Sequence, residues 1–77
     1  MTIALRGDIP ALIGPTLRRI RKMRGLRLRH ISQATGLSIS HLSDVERGTC
    51  GLSIEALMRW IEALGARCTL EIELEEH

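Results

Sequence analysis

Gly36 is the residue that most restricts how this chain can fold, because it splits the stretch Leu28 to Gly48, LRHISQATGLSISHLSDVERG, into two short amphipathic segments. In the first, Leu28, Ile31, Ser32 and Thr35 recur at helical spacing, so one side is apolar or small and can face a core. A glycine at the end of that helix accepts the left-handed backbone of a sharp reversal, and Leu37 just beyond can fill the angle between the two helices. Ser38 is placed to cap the second helix, which is expected from Ile39 to about Arg47 and stops at Gly48.

The two sides of the second segment differ in chemistry. Leu42 and Val45 point one way, while Ile39, Ser40, Ser43, Asp44 and Arg47 share the other. A solvated face is ordinarily rich in Lys and Glu. Short polar groups beside one exposed isoleucine instead allow close approach to the edges of base pairs. Scattered surface serines and a single exposed Ile are also ordinary, so this face favours DNA only in combination with charge.

Net charge is +2, with eleven basic and nine acidic residues. Seven of the eleven bases lie between Arg18 and Arg29, a window without an acid, whereas four of the nine acids lie between Glu71 and Glu76. A basic body with an acidic end is the footprint of a polyanionic partner, and on a purely structural helix those bases would repel one another.

At 77 residues the chain is expected to form one domain, 1–77, and a chain of this size buries only about 60% of its unfolded surface, so a second subunit would help it. Trp60 is the one aromatic residue, which leaves Leu, Ile, Val, Met and Ala to build a helical core. No apolar run approaches the ~20 residues of a membrane span. Arg6, Asp8 and Pro10 interrupt any signal-peptide core, and a cytoplasmic protein without membrane contact is expected.

Upstream of the motif, Gly14-Pro15 places a proline at a first helical position, followed by the apolar stripe Ile13, Leu17, Ile20 and Met23 and a stop at Gly25. The opening residues permit a short strand through Ile3 and Leu5 or a helical turn after Asp8. Downstream, Ser53 caps a last helix whose expected core face is Ile54, Leu57, Met58, Ile61 and Leu64, with Trp60, Ala56 and Ala63 on a lateral strip that suits either a subunit contact or the edge of the monomer core. From Cys68 the period changes to two: Cys68, Leu70, Ile72 and Leu74 alternate with Thr69 and glutamates, as in a strand over about 68–74 with one buried face. Such a strand needs an edge to pair with, near Ile3 and Leu5 or in a second subunit.

The segment 28–47 is thus a helix-turn-helix candidate. With Leu17 and Arg21 upstream, the VERG motif at its end and the Leu52 to Gly65 helix downstream, it resembles the lambda-repressor-like (XRE-type) DNA-binding family without a gap, over roughly residues 13–65. The family usually has Ser or Thr then Gln at the start of the first motif helix, where Arg27 and Leu28 stand here. The resemblance implies a mostly α domain and a sequence-specific repressor or autoregulator that binds a roughly palindromic operator as a homodimer. Ile39, Ser40, Ser43 and Asp44 would read bases, and Arg27, Arg29, Ser38, His41, Arg47 and Thr49 would meet phosphates. Periodicity leaves Arg21 and Arg24 equally placed to meet Glu46; the resemblance selects an internal Arg21–Glu46 pair. The strand also resembles HipB-type antitoxins, where strands of two subunits join, and with Trp60 the residues Leu70, Ile72 and Leu74 would form the dimer interface. Two other functions follow from these features: an antitoxin whose main partner is a toxin protein, and an interaction module without DNA binding.

Catalysis and metal binding find no support in the residues. His30 and His41 lie on different helices without Cys or acidic companions in ligand register, Cys50 and Cys68 lack metal spacing and suit free thiols, and no nucleophile-base pair or glycine-rich phosphate loop is present. No enzyme, cofactor or metal is expected.

Overall fold

The computed structural model describes residues 1–75. Four helices follow one another, α1 (Ile9–Met23), α2 (Leu28–Thr35), α3 (Ile39–Glu46) and α4 (Ile54–Ala63). Among the described residues there is no strand.

The motif forms as its residues dictate. Gly36 adopts φ 77° and caps α2 in the left-handed conformation. The Ser32 hydroxyl donates to the Leu37 carbonyl at 2.6 Å, and the Thr35 hydroxyl accepts from the Leu37 amide at 3.2 Å, so both side chains fasten the turn. Ser38 accepts from the His41 amide at 3.1 Å and Ser53 from the Ala56 amide at 3.1 Å, each satisfying a free donor in the first turn of its helix.

Leu17, Ile31, Leu42, Val45, Trp60, Ile61 and Leu64 form the buried core, surrounded by half-buried Ile13, Ile20, Leu26, Leu28, Leu37, Leu52 and Leu57. All four helices contribute, and α3 is held between α1 and the rest through Leu42 and Val45 while its opposite side faces out.

Three expectations need correction. First, α1 begins at Ile9 with Pro10 in its first turn, and Pro15 lies inside the helix. Pro10 loses no hydrogen bond at the helix start, and Gly14 and Leu17, both buried, hold the helix against α3 through Pro15. Second, α4 is rotated. Ile54 and Met58 are 75% and 44% exposed, whereas Trp60 is 0% exposed. An indole is the largest side chain available to a core short of aromatics, and Ala56 and Trp60, four apart, turn inward with Ile61 and Leu64. Trp60 therefore has no surface to offer a second subunit. Third, the segment from Arg67 to Glu75 forms no strand, and Leu70, Ile72 and Leu74 are 79%, 85% and 90% exposed. A strand needs a paired edge, and Ile3 and Leu5, though half-buried, supply none. The likeness to HipB-type antitoxins depends on that strand and is not supported by this fold.

Candidate nucleic-acid interface

The outer side of α3 is built from the top of the helix down. Ile39, 51% exposed, stands in its first turn beside exposed Ser40; Ser43 and Asp44 follow half-buried, and Arg47 is exposed at the C-cap. Leu42 and Val45, three and six residues after Ile39, anchor the helix in the core. The groups named from the sequence as base readers therefore share one accessible side of one rigid element.

Their partners differ from expectation. The Arg47 guanidinium forms an ion pair with the Asp44 carboxylate one turn earlier, so an expected base reader and an expected phosphate contact are joined in the free protein. The loop after Gly48 folds back on the helix: the Thr49 amide and hydroxyl donate to the Asp44 carbonyl at 3.0 and 3.1 Å. His41 Nε2 lies 3.7 Å from Cys50 Sγ. These two contacts bring residues of the α3–α4 loop to the helix, and no helical spacing foretells a loop contact.

Beneath this surface Arg21 and Glu46 meet in a fork. Arg21 Nε donates to Glu46 Oε2 at 2.7 Å and a terminal nitrogen to Oε1 at 3.0 Å, while the other terminal nitrogen donates to the Leu26 carbonyl at 2.9 Å. The two side chains are 12% and 4% exposed. Hydrogen bonding to Glu46 raises the Arg21 pKa, against the lowering effect of burial. Arg24, the alternative by periodicity, is exposed at the end of α1. The pair ties the last turn of α1, the α1–α2 turn and the end of α3 together, which fixes the angle at which α3 is presented.

Basic residues gather near the end of α3 and at the start of α2. Arg18, Arg19 and Lys22 of α1 line a shallow cleft with Arg47, and Arg27 and Arg29 are exposed at the start of α2. Leu28 between them is half-buried against the core. Among the described residues no cluster of three potential metal ligands occurs, and Cys50 and Cys68 are free and exposed. No helix among them is long and apolar enough to cross a membrane.

Comparison with known proteins agrees with this arrangement. A family model described as a helix-turn-helix domain matches residues 12–72. No match was found among curated proteins. Among solved structures, one of the clp gene regulator ClgR from Corynebacterium glutamicum is 34% identical, with a TM-score of 0.73 over 80% of this chain and 66% of that one, just under two thirds of its length. A second ClgR structure, also 34% identical, gives 0.70 over 83% and 82%. A point mutant of the restriction-modification controller protein C.Esp1396I shares the fold at 17% identity, with a TM-score of 0.70 over 82% of this chain and 80% of that chain. With the two motif helices, the left-handed turn between them and the outward face of α3 in place, the chain belongs to the helix-turn-helix domain family.

Proposed function

We propose that this DNA-binding regulator is a repressor or autoregulator that binds a roughly palindromic operator as a homodimer and acts by occlusion. The observation that carries the reading is the outward side of α3, where exposed Ile39 and short polar side chains are accessible and Arg47 at the C-cap stands beside Arg18, Arg19 and Lys22 of α1. Inserted in the major groove, Ile39 meets a thymine methyl and Asp44 accepts from a cytosine amino group, with Ser40 and Ser43 at adjacent edges. Arg27, Arg29, Ser38, His41, Arg47 and Thr49 surround that helix and touch phosphates, which fix its register without reading sequence. Covering promoter DNA needs no catalytic chemistry. The similarity to ClgR, described as a clp gene regulator, supports a role in transcription.

The homodimer reading rests on two apolar rows of the same chain. Leu70, Ile72 and Leu74 lie exposed along the tail, and Ile54 and Met58, one turn apart, lie exposed on α4. In a two-fold dimer each subunit's row covers the other's stripe, a reciprocal arrangement that closes on itself. Burying a Leu or Ile side chain stabilises by roughly 1.5–3 kcal/mol, so the six tail residues of two subunits can offset an association cost of order 4–15 kcal/mol. The test is selection of sites from random duplexes, followed by footprinting. The expected outcome is a two-fold symmetric site with half-site centres about 10 base pairs apart. Enrichment of no sequence, or of one isolated half-site, would overturn this reading.

A further inference from the structure

We infer that the acidic tail of this chain docks on the basic cleft between α1 and the end of α3 and competes there with DNA for Arg47; the competition, though not the docking, rests on the DNA-binding reading above. Arg18, Arg19, Lys22 and Arg47 line the cleft together with Pro15 and Met23. Glu46 also borders it, but its carboxylate is taken up by the fork from Arg21. Arg47 has Asp44 as its partner, whereas exposed Arg18, Arg19 and Lys22 have no acidic partner among the described residues. Three cations three and four residues apart on one helix repel one another. An anion held close by would relieve them.

The chain carries such an anion itself. Glu71, Glu73 and Glu75 alternate with Leu70, Ile72 and Leu74, and Glu76 follows, so an extended tail puts its carboxylates on one side and its apolar row on the other. Arg67 to Glu75 are exposed, and among the described residues none of these glutamates has an ion-pair partner. From Ala66 to Glu73 the extended chain spans roughly 23 Å, comparable with the 26 Å middle extent of the molecule, which brings the surface of α1 within its range. Exposed ion pairs are individually weak. A short tether, however, holds the glutamates at an effective concentration in the millimolar range, where weak pairs suffice. With the glutamates on the cations, the apolar row is turned outward, where the α4 stripe of a second copy can meet it. Duplex DNA still displaces the tail, because it carries a charge about every 1.7 Å along its axis and alternate residues of an extended chain stand about 7 Å apart. The tail thus lowers DNA affinity without abolishing it.

The experiment uses the full chain, because truncation would remove the apolar row together with the glutamates. Glu73→Gln combined with Glu75→Gln takes two charges from the tail and keeps Leu70, Ile72 and Leu74. Glu55→Gln combined with Glu62→Gln takes the same charge from exposed positions on α4 and serves as the control. In the absence of DNA, the tail variant is expected to shift the NMR signals of Arg18, Arg19, Lys22 and Arg47, and the α4 variant to leave them in place. Affinity for a mixed-sequence duplex at low salt, where screening is weak, is expected to rise about three- to tenfold in the tail variant, the weight of a few exposed ion pairs, and clearly less in the α4 variant. With Arg18→Gln and Arg19→Gln in the background, that gain is expected to vanish. Unchanged α1 signals in the tail variant, or equal gains in the two variants, would overturn the docking and reduce the tail to its share of the net charge. A parent protein that binds no duplex at low salt while its α1 signals still respond to the tail variant would overturn the DNA-binding reading and leave the docking standing.

Discussion

Gly14 and Val45 meet backbone to backbone: a Cβ built on Gly14 would fall inside the contact distance of the Val45 carbonyl oxygen and 3.3 Å from that of Glu46. Only a residue without a side chain lets α1 lie this close to the end of α3. Gly14→Ala would ordinarily stabilise a helix by up to about 1 kcal/mol. Here the sign reverses, because backbone is what the methyl meets and backbone cannot step aside. We expect a loss of roughly 2 kcal/mol from overpacking, or a fall of about 10 °C in melting temperature for a domain this small. A melting temperature at or above that of the parent would show that the helices do not approach this closely.

Arg21 and Glu46 brace the same pair of helices two turns further along α1. Removing either charge leaves its partner buried and unpaired, so Glu46→Gln or Arg21→Met should destabilise by roughly 3 kcal/mol. The raised Arg21 pKa places the sign of the pH effect: its stabilisation is fully present below the unfolded value and lost only as pH rises through the still higher folded value. The Arg21 contribution should therefore be flat across neutral and mildly alkaline pH in thermal melts. If Glu46→Gln melts like the parent but fails to bind DNA, Glu46 serves the ligand and not the scaffold.

The helix-turn-helix itself is legible in the sequence because its determinants are local: the glycine at the turn, the serine cap and one apolar stripe per helix each act within a few residues. What the sequence hides is decided by volume and by distance along the chain. Gly14-Pro15 looks like a helix start, since nothing near it announces the Val45 carbonyl thirty-one residues on. On α4 and its cap the apolar residues Ile54, Ala56, Leu57, Met58, Trp60, Ile61, Ala63 and Leu64 fill most of the circumference, so two stripes fit the period equally and the need to fill the core with an indole selects the one containing Trp60. Arg21 and Arg24 are likewise indistinguishable by period, and the choice comes from resemblance. The tail alternates like a strand without a partner edge in this chain, and alternation specifies a side but not a neighbour.

If Asp44 reads a base and Arg47 meets a phosphate, as proposed, their ion pair makes base preference and backbone affinity interdependent. On that reading Asp44→Ala would remove the acceptor for a cytosine amino group and free Arg47 for phosphate. Discrimination at one base pair should fall by about 1–3 kcal/mol, while binding to mixed-sequence DNA should hold or tighten. The comparison is made by titrating selected and mixed duplexes with both proteins. Should changing Ile39, Ser40, Ser43 and Asp44 together leave the selected site the same, α3 does not read it.

Salt dependence separates a phosphate-binding surface from an ordinary basic one. If the dimer neutralises about six phosphates through Arg27, Arg29, Arg47 and their neighbours, the slope of log K against log salt should lie near −5. Each arginine replaced by alanine is lost from both subunits and should remove close to two units. A slope near zero in a titration across salt concentrations would be incompatible with DNA binding by this surface.

Truncation after Ala66 tests the assembly without touching the fold, because the buried core ends at Leu64 and half-buried Ala66 is retained. The removed stretch carries Leu70, Ile72 and Leu74, which stand exposed in their own subunit. From Cys68 to Leu74 the extended chain spans roughly 23 Å, enough to cross a two-fold axis and reach Ile54 and Met58 of a second copy. Paired recognition helices then fall about 34 Å apart, one turn of DNA, so each half-site raises the effective concentration of the other. The truncated protein should melt as the full chain does at high dilution, sediment as a monomer, and bind the operator at least 100-fold more weakly, on the order of the avidity lost with the second half-site. Ile72→Asp in the full-length chain makes the same point with a single side chain: a charge buried at the proposed contact should also give a monomer with every base-reading residue in place. A truncated protein that stays dimeric and binds normally would move the interface elsewhere, and a full chain that is itself monomeric would assign the apolar row to a different protein partner.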